Sequence, residues 1–359
     1  MVRASIVSKS GFHIPSLDGL RAFSFGMVFA SHAGLSAIVP GGFGVTVFFF
    51  LSGFLITTLM RTEFEKTGRV SFRNFYIRRA LRILPPFYLV LAVATLLTAC
   101  GVIQGGLLPR AVAAQAMHYA NYWVVFHGFG GFPPGTGVYW SLAVEEHFYL
   151  LFPLVFVSMQ RLGMTPRAQA RFLLALCGVI LCWRCALVFL RESVPDRTFV
   201  ASDTRFDSIL FGCILAIRGN PMLDPHGDTD TLWRYRLLPL GLLVLLGTFL
   251  IREPHFRETF RYTLQGLGLI PVFVCAMRYP TWSVMRLLNY RPVAFLGLLS
   301  YSLYLVHQVA LYGVEQHYQA SLGLPATAVL AFAISVGIAW LMYYAVDKPC
   351  AKLRRKFSA

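Results

Sequence analysis

An imidazole and a guanidinium stand eleven residues apart in SLDGLRAFSFGMVFASH (residues 16–32): His32 and Arg21. Eleven residues make very nearly three turns of α-helix. The two side chains therefore share one face, about 16 Å apart along the axis. Between them lie Ala22, Phe23, Phe25, Met27, Val28 and Phe29, the residues of a span buried in lipid or protein. An arginine near the middle of a membrane helix costs roughly 2.5–3.5 kcal/mol, so a chain that keeps one gives it a partner and a task. Histidine is the natural general base at neutral pH. Asp18 fits a helix cap and an i, i+3 ion pair with Arg21.

Five further stretches carry groups that could serve such a base. VFFFLSGFLIT (47–57) puts Ser52 and Gly53 in a phenylalanine-rich span. It allows close backbone approach, which ordinary small-residue helix packing also explains. In FYIRRALRILPPFY (75–88), Arg79 and Arg82 share a helical face and Arg78 points elsewhere. A forked pair of guanidiniums suits a phosphate, and a solvated basic loop would account for the same residues. YWSLAVEEHFYLLFP (139–153) sets Glu145 and Glu146 side by side near the outer end of a span. They diverge by about 100°, so only one need face inward. The other could be exposed, or paired with His147 or Arg184. SDTRFDSILFG (202–212) opens a span with Asp203, Arg205 and Asp207. GLLSYSLYLVHQ (297–308) aligns Tyr301, Tyr304 and His307 on one helix. An aromatic belt explains the tyrosines better than the histidine. No serine-hydrolase elbow, HExxH or P-loop is present, and no metal site is expected.

The elements that must hold these groups are membrane helices. The chain is 57% hydrophobic and only 13% charged, with mean hydropathy +0.62. Long apolar runs recur from end to end. The expectation is an all-α polytopic membrane bundle in a single domain, 1–359, with no separate soluble domain. Spans are expected near 17–38, 42–60, 83–103, 139–160, 172–190, 203–217, 237–251, 262–277, 293–313 and 324–345, about ten in all. The N-terminus lacks the apolar core and cleavage site of a signal peptide, so the first span should serve as its own insertion signal. Arg61, Lys66, Arg69, Arg73, Arg78, Arg79 and Arg82 crowd 61–82, and Lys348, Lys352, Arg354, Arg355 and Lys356 follow the last span. By the positive-inside rule both segments are cytoplasmic. Both termini then lie inside, as a tail at 1–15 carrying Arg3 and Lys9 and a basic tail at 346–359. That pattern holds only if the apolar stretch 104–127 is interfacial or re-entrant on the outer side. The same rule accounts for the net charge of +16 without nucleic acid. The seven cysteines form no paired CxxC motifs and read as buried small apolar residues. No internal repeat is visible, which weighs against a carrier built from inverted repeats.

Taken together, LDGLRAFSFGMVFASH, FFFLSGFLI, RRALRILPP, WSLAVEEHFYLLFP and SYSLYLVHQ resemble the hallmarks of the acyltransferase-3 family of integral-membrane acyltransferases, in the family's order and over nearly the whole chain. The resemblance implies transfer of an acyl group, usually acetyl, from cytoplasmic acyl-coenzyme A to a hydroxyl of a cell-envelope or exported carbohydrate or glycolipid. It implies no permanently bound cofactor. It implies a stand-alone form in the bacterial inner membrane that acts directly or hands the group to a separate extracytoplasmic transferase. Residue by residue, it suggests His32 and Glu145 as catalytic, and Arg21, Arg79 and Arg82 as the donor's binding groups. The expected mechanism sets Glu145 on the second ring nitrogen of His32 and Ser52 on the thioester oxyanion. Trp140 flanks the acceptor's path. Asp18, Ser141, Tyr301 and His307 complete the candidate binding set. A transporter or a non-catalytic subunit of a glycan-assembly complex is the rival.

Overall fold

The computed structural model describes residues 7–8, 11–12, 16–191, 195–225, 227 and 229–357. The expected N-terminal tail, with Arg3 and Lys9, falls outside the described residues. Only the backbone pairing of Val7–Ser8 with Gly11–Phe12 is described there. From residue 16 onward every regular element among the described residues is helical. α1 (Leu17–Ala30) widens through Ser31–Leu35 and stops at Gly34, whose φ of 95° suits only glycine. Then come α2 (Gly41–Thr67), α3 (Phe72–Ala99), the short α4 (Pro109–Ala116) and α5 (Ala120–His127), α6 (Trp140–Arg161), α7 (Pro166–Arg191), α8 (Pro195–Val200) and α9 (Ser202–Ile217). The turn α10 (Asp230–Leu232) leads through 233–237 into α11 (Leu238–Leu250). The order closes with α12 (Pro254–Glu258), α13 (Phe260–Arg278), α14 (Met285–Leu288), α15 (Arg291–Leu298), α16 (Ser300–Met342) and α17 (Lys348–Arg355).

The polytopic helical bundle expected from composition is present. Among the described residues, seven helical segments are long and apolar enough to cross a membrane. Ten spans were expected, none of them in 104–127, and the difference of three comes from one merged pair and two short helices. The segment Ser300–Arg355 counts once but turns at Gly323, with Pro325 just beyond, into two arms. The helices α1 and α9, at 14 and 16 residues, fall short of the length for a crossing. The stretch 104–127 folds into two eight-residue helices, each about 12 Å long. Neither can cross, as the charge pattern required.

Two boundaries are corrected. Residues 61–82 are not a loop: α2 and α3 continue through them, and only 68–71 connects the two. The Ser71 hydroxyl accepts from the Asn74 N–H at 3.3 Å and starts α3, so Arg79 and Arg82 ride on a helix. The C-terminal tail is likewise ordered as α17, packed on α3. Arg78 donates to the Phe357 carbonyl at 2.5 Å and pairs with Glu63 at 3.0 Å. Arg61 pairs with Asp224 and caps the carbonyls of Ala216 and Ile217 at the end of α9. The α2–α3 connection, the segment after α9 and the C-terminal helix therefore share one end of the molecule.

The centre is the α2–α9 contact. A Cβ on Gly53 would stand 2.0 Å from the Ile209 carbonyl oxygen, and one on Gly212 would stand 2.0 Å from that of Phe50. The two backbones touch because neither position has a side chain. Beside them Arg184 and Asp207, both fully buried, form a two-pronged pair at 2.9 and 2.7 Å. Arg184 is thus the partner of Asp207 and not of either glutamate on α6. All seven cysteines are free. Cys177, Cys213 and Cys275 are buried, whereas Cys100 and Cys182 are exposed, contrary to expectation.

Candidate active site

Helices α1, α2, α3, α6 and α16 line a cavity. Three guanidiniums reach it. Arg21 comes from the second turn of α1 and is held by Asp18 at 2.5 Å. Arg79 and Arg82 come from one face of α3. Among the described residues neither Arg79 nor Arg82 has a carboxylate oxygen within 4 Å. Arg79 is steadied instead by the rings of Phe75 and Tyr149, at 5.7 and 5.5 Å. The cavity combines three cationic forks, which can bind an anion, with apolar walls (Val45, Phe48, Leu55, Ile83).

Glu145 lines the same cavity from α6; Glu146 does not. The Ser52 hydroxyl donates to Glu145 Oε1 at 2.8 Å, and the Tyr149 hydroxyl lies 2.8 Å from Ser52 Oγ. Serine has one proton to give. With that proton on Glu145, Tyr149 must donate to Ser52, and Ser52 cannot also serve an oxyanion. Tyr149 was missed in the sequence, although it stands at i+4 from Glu145 and so on the same face. Ser141 and Tyr301 also line the cavity. Ser141 Oγ donates to the Val138 carbonyl at 3.0 Å and lies 2.7 Å from the Tyr304 hydroxyl. Tyr301 donates to the Ile83 carbonyl at 2.8 Å, tying α16 to α3.

Two expectations are corrected here. Trp140 does not line this cavity, although its ring meets that of the cavity wall Phe49 edge-on at 6.3 Å. As the first residue of α6 it turns its indole onto Phe199 of α8, with ring centroids 4.8 Å apart, and it is 4% exposed. Nor does Glu145 touch His32. The partner of His32 is His307: Nδ1 of the first lies 3.0 Å from Nε2 of the second, with the rings stacked at 5.3 Å. Glu145 faces α2, whereas His32 faces α16, so one cavity wall separates them. That wall is Tyr304 with Phe48, which line the cavity, their ring centroids 5.9 Å apart. The Tyr304 ring lies 5.6 Å from that of His307.

The pair has a defined proton arrangement. His307 Nδ1 is 2.8 Å from the Tyr304 carbonyl oxygen. A carbonyl only accepts, so that nitrogen carries the hydrogen. With both rings neutral, His307 Nε2 must accept and His32 Nδ1 must donate. The lone pair of His32 is then on Nε2. His307 is buried among Phe25 and Phe29, while His32 is half-buried at the widened end of α1.

Comparison with known proteins matches residues 14–344 to the model of a family described as an acyltransferase domain. The peptidoglycan O-acetyltransferase OatA of Listeria monocytogenes is 28% identical over 82% of this chain and 49% of its own length. YrhL of Bacillus subtilis, which carries a provisional name as a peptidoglycan O-acetyltransferase, is 30% identical over 94% of the chain and 55% of its own. A Staphylococcus aureus protein with a provisional O-acetyltransferase name, SACOL0978, is 28% identical over 85% and 52%. The chain spans about half the length of these curated relatives. No solved structure matches.

Proposed function

This chain belongs to the acyltransferase family whose model its residues 14–344 match, and we propose that it moves an acetyl group from acetyl-coenzyme A to a hydroxyl of a cell-wall glycan. The relatives' names supply acetyl as the group and peptidoglycan as the acceptor. The observation that carries the reading is the convergence of Arg21, Arg79 and Arg82 on one cavity, with a directed imidazole pair one side chain behind its wall.

In this reading the arginines hold the phosphates of coenzyme A and the apolar walls take the pantetheine arm. The Tyr304–Phe48 pair parts to let the thioester reach His32. His32 Nε2 takes the proton of the acceptor hydroxyl as its oxygen bonds to the thioester carbonyl carbon. The carbon–sulfur bond breaks, and the imidazolium returns the proton to the coenzyme A sulfur. His307 fixes the tautomer that makes this possible, a task that the third member performs in a Ser-His-Asp triad. The acceptor hydroxyl belongs to the glycan itself or to a separate extracytoplasmic transferase that carries the acetyl group onward.

The test is His32→Ala in the purified full chain, reconstituted with acetyl-coenzyme A and a peptidoglycan fragment. The wild type should release free coenzyme A in an acceptor-dependent way. The variant should insert normally and lose about 10²–10⁴-fold in rate. Acyl transfer at the wild-type rate in the variant would remove His32 from the chemistry.

A further inference from the structure

A second and larger cleft opens where α1 ends and α2 begins. Ser31 lines it, ten residues beyond Arg21 and so about 15 Å farther along the helix. The two hollows thus lie toward opposite ends of α1. The far wall is α8, the α11–α12 connection, α12 and the start of α13, which present Phe199, Arg252, Arg257, Arg261 and Gln265.

Arg205 stands between the two hollows. It is fully buried, and among the described residues it has no carboxylate oxygen within 4 Å. Its guanidinium donates to the Phe199 carbonyl at 3.0 Å and to Thr46 Oγ1 at 3.1 Å, and its Nε has no acceptor. It faces the ring of Phe49, a wall of the first cavity, at 5.4 Å. It also faces Tyr262 and Phe199, walls of the second, at 4.0 and 5.6 Å. Arg261 donates to the Tyr262 hydroxyl at 2.9 Å, and its Nε is likewise buried without an acceptor. The cleft's own lining sets three guanidiniums, Arg252, Arg257 and Arg261, against two carboxylates, Asp196 and Glu258, and Glu258 also accepts from the Thr198 hydroxyl. One guanidinium in excess on the lining, with the buried and carboxylate-free Arg205 just behind the wall, favours an anion. The acid and amide groups beside it, Asp196 and Gln265, suit hydroxyls.

We propose that this cleft is the acceptor's seat and that it selects a saccharide bearing a carboxylate or a phosphate. This deepens the acyltransferase reading and rests on it. Donor and acceptor would meet across Arg205, from opposite ends of α1.

The experiment is calorimetric binding to the full chain in phosphatidylcholine nanodiscs. The probes are N-acetylmuramic acid, N-acetylglucosamine, N-acetylglucosamine 1-phosphate, short-chain phosphatidylglycerol and coenzyme A. The anionic sugars should bind at least tenfold more tightly than the neutral one. Arg257→Gln/Arg261→Gln should abolish that preference while coenzyme A binds as before. The single change Arg257→Gln, at an exposed side chain, repeats the measurement should the double variant unfold. Equal binding of neutral and anionic sugars overturns the proposal, as does a preference that survives the substitutions. Arginine-dependent binding of phosphatidylglycerol alone would make the cleft a lipid-headgroup seat, and loss of coenzyme A binding would make it the donor's. Wild-type chain that prefers anionic sugars yet transfers no acetyl would overturn the enzymatic reading and leave the cleft's ligand standing. Transfer without the preference would do the reverse.

Discussion

At the scale of single residues, the proton on His307 Nδ1 decides what His32 can do. Because the Tyr304 carbonyl holds that proton, His307 presents a lone pair to His32, and His32 is left with its Nε2 free to act as a base. His307→Ala should therefore lower acyl transfer by roughly 10²-fold or more, with little change in donor KM, since the base would no longer be held in one tautomer. His307→Gln offers a carbonyl oxygen to His32 Nδ1 and should recover part of the rate. Equal loss in both variants would mean that the ring only fills space. Arg79→Ala is expected to act the other way, raising the donor KM about tenfold, which is about 1.4 kcal/mol, with kcat largely kept. A change confined to insertion or topology would return Arg79 to the loop-charge pattern. Helical spacing made two pairs legible in the sequence, Arg21 with His32 and Arg79 with Arg82, and the family resemblance joined them. The partner of His32 was not legible, because it lies 275 residues away on α16. Spacing along a helix says which face a residue takes; it does not say which helix that face meets.

At the scale of elements, the site depends on how closely α2 approaches α9. Ser52 reaches Glu145 from the turn that carries Gly53, and Gly53 lies against the Ile209 backbone. A side chain there has no flexible neighbour to displace, since what it meets is main chain. Gly53→Leu should lower the thermal midpoint in detergent by the equivalent of about 1–3 kcal/mol or more, and should cost transfer activity in parallel because Ser52 and Glu145 separate. A variant of normal stability would show that the helices can slide apart without cost. Small-residue packing was one reading of SGF in the sequence, and Gly53 packs in that way, while Ser52 lines the cavity with its proton on Glu145 and not on an oxyanion. Helix ends were less legible. Charges at 61–82 resemble a loop when counted, yet Arg61 and Arg78 find Asp224 and Glu63 and let α2 and α3 run on past the apolar stretch.

At the scale of the whole molecule, the proposal requires the two ends of the bundle to face different compartments. Basic residues gather at one end, where α17 packs on the start of α3 and Arg78 holds the Phe357 carbonyl. The cavity with Arg79 and Arg82 lies nearer that end, and the second cleft lies toward the other. Helix α3, at 28 residues, is about 42 Å long and exceeds the roughly 30 Å of a bilayer's hydrocarbon. Its far end carries Cys100, which is exposed, while Cys350 lies on α17 at the basic end. In the proposal the basic end faces the cytoplasm, the side the positive-inside rule favours and the one where acyl-coenzyme A is made. In variants that keep one cysteine each, Cys100 should react with a membrane-impermeant maleimide in right-side-out vesicles. Cys350 should react only in inverted ones. The opposite pattern would turn the arginine cavity away from its thioester and leave the proposed transfer without a donor, whatever the local geometry of His32.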